Sequence, residues 1–131
     1  MKFAIIGSGA VGGYFGARLH EAGHTVYFFA RGSHLEAIRK NGLQIKSVAG
    51  DYKALNVESH ESVQTITSVD VVLVAVKAWQ VEEITPKLKS LAKRSTYFVP
   101  LQNGVEAHGI LEKVLGKERV LGGFCGLISF I

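Results

Sequence analysis

The chain has a single cysteine, Cys125, which excludes a disulfide within it. Cys125 lies in an apolar stretch and is expected to be a buried, inert thiol. Long hydrophobic runs are also missing. The N-terminal apolar run breaks at Gly7, too short for the core of a signal peptide. Asp70 to Val76 is apolar but far too short to span a bilayer. These absences point to the cytoplasm and to no membrane partner. The five histidines (His20, His24, His34, His60 and His108) lack metal-ligand spacing and are expected mostly at the surface. No low-complexity run or internal repeat is present. The net charge of +4, from 15 basic and 11 acidic residues, is not gathered into a basic stripe with interleaved aromatics. Basic residues often neighbour acids, as in Glu82-Glu83 before Lys87 and Lys89. Nucleic acid is therefore not an expected partner.

What is present is a globular composition. The 131 residues are 47% hydrophobic and 20% charged, enough for one domain with a real core. The most informative segment is the first 31 residues. Lys2-Phe3-Ala4-Ile5-Ile6 is a buried-strand run that leads into Gly7-Ser8-Gly9-Ala10-Val11-Gly12. Gly7 permits a tight turn, and Gly9 lets backbone approach a pyrophosphate. Gly12 lets the next helix sit close to the sheet. That helix, from about Ala10 to Ala22, aims free N–H groups and its positive end at the phosphates. Gly23 is a left-handed stop. A second strand over His24 to Ala30 completes a strand–helix–strand unit.

One further absence is decisive. A unit of this kind that takes NAD carries Asp or Glu at the end of its second strand, where the ribose hydroxyls are held. This chain has Phe29-Ala30-Arg31-Gly32-Ser33 there. A carboxylate would repel a 2′-phosphate, whereas a guanidinium holds one through two parallel hydrogen bonds. Arg31, with the Ser33 hydroxyl as a further donor or a cap of the next helix, favours NADP(H).

Further along, His34 to Lys40 reads as a short helix closed by Asn41-Gly42. Leu43 to Val48 and Tyr52 to Val57 read as a hairpin or two short strands. Ser62 to Ser68 crosses back over the sheet. Val69 to Val76 is a buried strand. A helix begins near Gln80, and Thr85-Pro86 looks like a fresh cap with proline in the first turn of a helix to Lys93. Thr96 to Val99 is a strand and Val105 to Leu115 a helix. An apolar stretch from Arg119 to Ile131 follows. The alternation gives an α/β, Rossmann-type doubly wound, mostly parallel sheet with helices on both faces.

Ligands in such sheets sit beyond the carboxyl ends of the strands. That places Lys77, in Val76-Lys77-Ala78-Trp79-Gln80, and Asn103, in Leu101-Gln102-Asn103-Gly104, on the cofactor edge. Lys77 can donate to a ribose, a carboxamide or a carboxylate, and Asn103 can both donate and accept. A solvated lysine and a plain Asn-Gly turn are the ordinary alternatives. Trp79 is expected to be a packing residue.

In this order and at these separations, the glycine loop, Arg31-Gly32, Lys77-Ala-Trp-Gln80 and Leu101-Gln-Asn-Gly104 resemble the 2-dehydropantoate 2-reductases (ketopantoate reductases). The resemblance covers essentially the whole chain. It implies NADPH-dependent reduction of 2-dehydropantoate to pantoate on the route to pantothenate and coenzyme A. It implies that Gly7, Ser8, Gly9, Ala10, Val11 and Gly12 hold the pyrophosphate and Arg31 the 2′-phosphate. Lys77 and Asn103 then lie at the nicotinamide and substrate end. Residues 1–131 correspond to the dinucleotide-binding domain. The family's helical substrate domain, with its general-acid lysine and substrate-binding glutamate, has no counterpart here. The fragment alone is accordingly expected to turn over little. The expected partner is a small 2-keto acid, and association between copies is left open. A reductase of another 2-keto acid and a non-enzymatic NADP(H)-binding regulatory module are the competing functions.

Overall fold

The structure is a computed structural model that describes residues 1–123, 125–129 and 131. Five parallel strands form its main sheet: β1 (Lys2–Ile6), β2 (Thr25–Phe29), β5 (Glu58–His60), β6 (Val71–Val74) and β7 (Tyr97–Pro100). Their order is β5-β2-β1-β6-β7. A separate antiparallel hairpin pairs β3 (Leu43–Ile45) with β4 (Tyr52–Ala54).

The order explains the composition of β1. It pairs with β2 on one side and β6 on the other, so both of its edges and both of its faces are covered. Ala4, Ile5 and Ile6 are fully buried. Strand alternation then splits the core in two. Ala4, Ile6, Phe29, Val72, Val74 and Phe98 face one side. Ile5, Val26 and Phe28 face the other.

The first face is covered by α3 (Val81–Ile84), the 3₁₀ segment Thr85–Leu91 and α4 (Glu106–Leu115). The second is covered by α1 (Ala10–Glu21), α2 (Gly32–Asn41) and the hairpin. α1 presents Gly12, Gly13, Gly16 and Ala17 to the sheet, and their small size brings the helix axis close. A Cβ on Gly16 would lie 2.3 Å from Cε1 of the fully buried Phe28. α1 ends as expected. Gly23 takes φ +89, its N–H donates to the His20 carbonyl, and the His24 N–H reaches back to Leu19.

Three features differ from the sequence-based expectation, and one connection agrees with it. The extended run after Asp51 ends at Ala54, and the edge strand is Glu58–His60, which has no apolar pattern to reveal it. Its polar side chains suit an edge. The connection over Ser62 to Ser68 does cross the sheet face. It carries only a 3₁₀ turn, with Val63 and Ile66 buried beneath it. Thr85 does not start a fresh helix. Its hydroxyl donates to the Val81 carbonyl, and α3 runs on as 3₁₀ helix. Pro86 has no N–H for a regular helical bond, which accounts for the tighter winding. Finally, Ser33 caps nothing: the N-cap of α2 is Arg31, and Ser33 is an exposed residue of the first turn.

The chain after α4 adds a parallel bridge between Val120 and Phe98, where the Leu121 N–H donates to the Phe98 carbonyl at 2.9 Å. Cys125 is half-buried and not fully enclosed as expected. No helix among the described residues is long and apolar enough to cross a membrane.

Candidate functional site

The carboxyl ends of β1, β2 and β6 open onto one cleft of about 540 Å³. Its floor is the glycine loop. Gly7 leaves β1 at φ +99, and a Cβ there would lie 2.7 Å from the Val76 amide nitrogen. Both conformation and space therefore demand glycine at this position. Gly12 is more tightly constrained: a Cβ would sit 1.9 Å from the Gly7 carbonyl oxygen and 3.0 Å from Ile5 and Ala75 side-chain atoms. Gly9 is the opposite case. It precedes the first residue of α1, and among the described residues a Cβ there would meet only the Ile131 Cδ1, at 3.8 Å.

The first intrahelical bond of this end runs from the Gly13 N–H to the Gly9 carbonyl, 2.7 Å. The amides of Ala10, Val11 and Gly12 precede it and have no acceptor within the helix. α1 has no acidic residue in its first turn. The cleft thus has the polarity that suits an anion.

Among the described residues, three side-chain contacts hold the loop. The buried Ser8 hydroxyl donates to the Phe29 carbonyl at 2.9 Å, tying the loop to the end of β2. His34 Nε2 of α2 contacts the Ser8 carbonyl. The Ser129 hydroxyl donates to the Ala10 carbonyl at 2.9 Å.

Arg31 stands at the second wall of the cleft. It is exposed, and its guanidinium lies over the Phe29 ring at 5.3 Å from the centroid. Lys77 stands at the third wall, just beyond β6, with Gln80 and Glu83 beside it. The Lys77 amide donates to Gln80 Oε1 at 2.9 Å, which ties the turn after β6 to the 3₁₀ segment Ala78–Gln80. The Glu83 carboxylate is 3.9 Å from Lys87 Nζ, an exposed pair of little energetic weight.

Of the residues singled out in the sequence, Gly7, Ser8, Gly9, Ala10, Val11, Arg31 and Lys77 line this one cleft. Three do not. Gly12 is buried against the sheet, Ser33 points elsewhere on α2, and Asn103 lies exposed in the bend after β7. Trp79 is 78% exposed, against the expectation of a packing residue. The short 3₁₀ segment that carries it buries no side chain. The histidines are all half-buried, and each has a polar contact. His20 meets the Tyr52 hydroxyl, His60 meets Thr65 and Glu58, and His108 meets Glu112. Among the described residues, no group of three or more metal-ligating side chains is placed to hold an ion.

Sequence reasoning missed Gln102. Its amide donates to the carbonyls of Val74 (2.9 Å) and Val76 (2.7 Å), clamping the end of β6 just before Lys77. Its Oε1 is buried without a partner among the described residues. Gln102→Leu is expected to cost about 1–2 kcal/mol of stability, since the Val74 and half-buried Val76 carbonyls each lose a donor. A denaturant melt measures this.

A second space of about 330 Å³ lies behind the loop, between α1 and the hairpin. Tyr14 lines it, and its hydroxyl is held below the ordinary phenol range, chiefly by hydrogen bonding to Arg18 and then to Ser47. Arg18 is in turn held more firmly protonated, first by its hydrogen bond to Glu21.

Comparison with known proteins agrees with this architecture. The family model described as "Ketopantoate reductase PanE/ApbA" matches residues 3–130. The chain belongs to the ketopantoate reductase family. A 2-dehydropantoate 2-reductase of Nostoc sp. is 34% identical over 128 residues, covering 98% of this chain and 40% of that protein. An uncharacterised oxidoreductase of Bacillus subtilis is 35% identical, covering 98% of this chain and 42% of its own length. The crystal structure of the Geobacter metallireducens 2-dehydropantoate 2-reductase superposes with TM-score 0.87 at 34% identity, over 93% of this chain and 40% of that one. A D-mandelate dehydrogenase in complex with NADH and anilino(oxo)acetate superposes with TM-score 0.83 at 30% identity, over 95% of this chain and 40% of its own. The chain thus spans about two-fifths of the length of these ketopantoate reductase relatives.

Proposed function

We propose that residues 1–131 form the NADP(H)-binding domain of a 2-keto acid reductase, with 2-dehydropantoate as its substrate. The observation that carries this is the meeting of three chemistries on one cleft: the glycine loop, Arg31 and Lys77. The cleft fits the group. Gly9 adds no side chain of its own above the loop, and the amides that follow it are unused within the helix. The loop from Gly7 to Gly12 would hold the pyrophosphate and Arg31 the 2′-phosphate. Lys77 would donate to the nicotinamide ribose, carboxamide or substrate carboxylate.

When bound, the cofactor supplies a hydride; the ketone oxygen still needs a proton. We assign that donor to the part of the relatives' length that these residues do not match. Asn103, in its exposed bend, would serve the substrate end from there.

Lys77→Ala is expected to lower kcat/KM of the full chain about tenfold, the loss of one charged hydrogen bond. Steady-state kinetics with NADPH as the varied substrate checks it. The wider proposal is tested by NADPH oxidation with 2-dehydropantoate, 2-keto isovalerate and phenylglyoxylate side by side. With the full-length protein the highest kcat/KM should fall on 2-dehydropantoate, and no turnover with any of them would refute the reductase. A second reading, an NADH-dependent reductase of aromatic 2-keto acids, is favoured by the likeness to a D-mandelate dehydrogenase. It would show as preference for phenylglyoxylate with NADH.

A further inference from the structure

We propose that His34 is a positioning residue for dinucleotide binding, acting through the glycine loop and not by touching the 2′-phosphate. The inference rests on the NADP(H) reading of the cleft. Three observations carry it. First, Nε2 of His34 contacts the Ser8 carbonyl, and a carbonyl only accepts, so Nε2 carries the proton in this contact. Second, the Ser8 hydroxyl is already committed to the Phe29 carbonyl. Ser8 is therefore held at its side chain by β2 and at its carbonyl by the imidazole. Third, His34 borders both the main cleft and the space behind the loop, as do Ser8, Gly9 and Ala10. The ring and the loop, together with Ser129 and Ile131, form the wall between the two.

The physical need is plain. Two glycines flank Ser8, and glycine loses the most conformational freedom on ordering. A loop of this composition stays in one conformation only if something outside it supplies the constraint. The amides that would hold phosphate are useful in proportion to how well they are already aligned. His34 supplies alignment from α2, whose N-cap is Arg31. Three residues of helix set Arg31 and His34 on the same side, so one turn carries the 2′-phosphate contact and the loop support.

The test is titration of the full chain with NADPH and with NADH, for wild type, His34→Ala, His34→Leu, His34→Gln and Arg31→Ala. Loss of the imidazole donor in His34→Ala and His34→Leu should weaken both dinucleotides by the same factor, about five- to tenfold. His34→Gln keeps an N–H donor of similar reach and should restore most of the affinity. Arg31→Ala should weaken NADPH alone. If His34→Ala melts at lower temperature, the comparison of His34→Gln with His34→Leu carries the test, since both fill the site. Unchanged binding in His34→Leu, a loss confined to NADPH, or no recovery in His34→Gln would overturn the proposal. Wild type that binds neither dinucleotide would overturn the cofactor reading itself and this inference with it.

Discussion

Gly12→Ala is expected to lower the unfolding free energy by at least ~3 kcal/mol and to abolish dinucleotide binding. The added Cβ would sit 1.9 Å from the Gly7 carbonyl oxygen, and that oxygen has nowhere to go. Gly7 is itself fixed by its φ of +99 and by Val76 and Ala75 backbone behind it. The remaining escape is to lift α1 from the sheet. That would pull Gly16 and Ala17 away from Phe28 and Ile5, in the core of the second face. The loop amides would move with the helix, so stability and binding should fail together. Gly109, in α4, is the internal control. Among the described residues a Cβ there meets nothing within 4 Å, and alanine is the better helix former by about 0.5–1 kcal/mol. Gly109→Ala should leave stability unchanged or raise it. Denaturant melts of both variants, with NADPH titration of each, separate the two outcomes.

Arg31→Ala is expected to weaken NADPH about 30-fold while leaving NADH nearly unchanged, the worth of a charge-assisted bidentate contact of about 2 kcal/mol. The guanidinium is exposed, so the difference should shrink as salt rises and screens it. Its position over the Phe29 ring restricts where it can swing, which lowers the ordering cost when it meets a phosphate. Arg31→Lys should fall between the two, because it retains the charge and loses the fork. Affinities at low and high salt for both dinucleotides check all of this.

The strand–loop–helix unit was legible because each residue type had one use. Phe3 to Ile6 could only be a strand buried on both faces, and Gly7 and Gly12 answer to a left-handed turn and to backbone contact. The order of the remaining large elements followed from apolar runs of strand or helix length. What escaped was chemistry without periodicity. β5 has no apolar side chain, and its place beside β2 is visible only from backbone pairing. Thr85-Pro86 carried the right residue types for a new helix start. The Thr85 hydroxyl instead bonds back four residues to the Val81 carbonyl, a local alternative that the same residue types allow.

At the cleft, the positions of Arg31 and Lys77 were readable because strand ends in a parallel sheet open onto one edge. Ser33 was given a role by proximity alone, and the helix phase takes it away from the cleft. His34 had the better phase, three residues after Arg31, yet a lone histidine gives no sign of a carbonyl 26 positions earlier. Gln102 lies inside Leu101-Gln102-Asn103-Gly104 with no periodicity to mark it. Only the fold brings its amide onto the carbonyls of Val74 in β6 and of Val76, the residue before Lys77.

The central claim is that this cleft is built for a dinucleotide bearing a 2′-phosphate. Its most direct test is parallel titration of the wild-type full chain with NADPH and NADH at low salt. Binding of NADPH about 30-fold tighter than NADH is the predicted result. Equal affinities, or tighter binding of NADH, would contradict it.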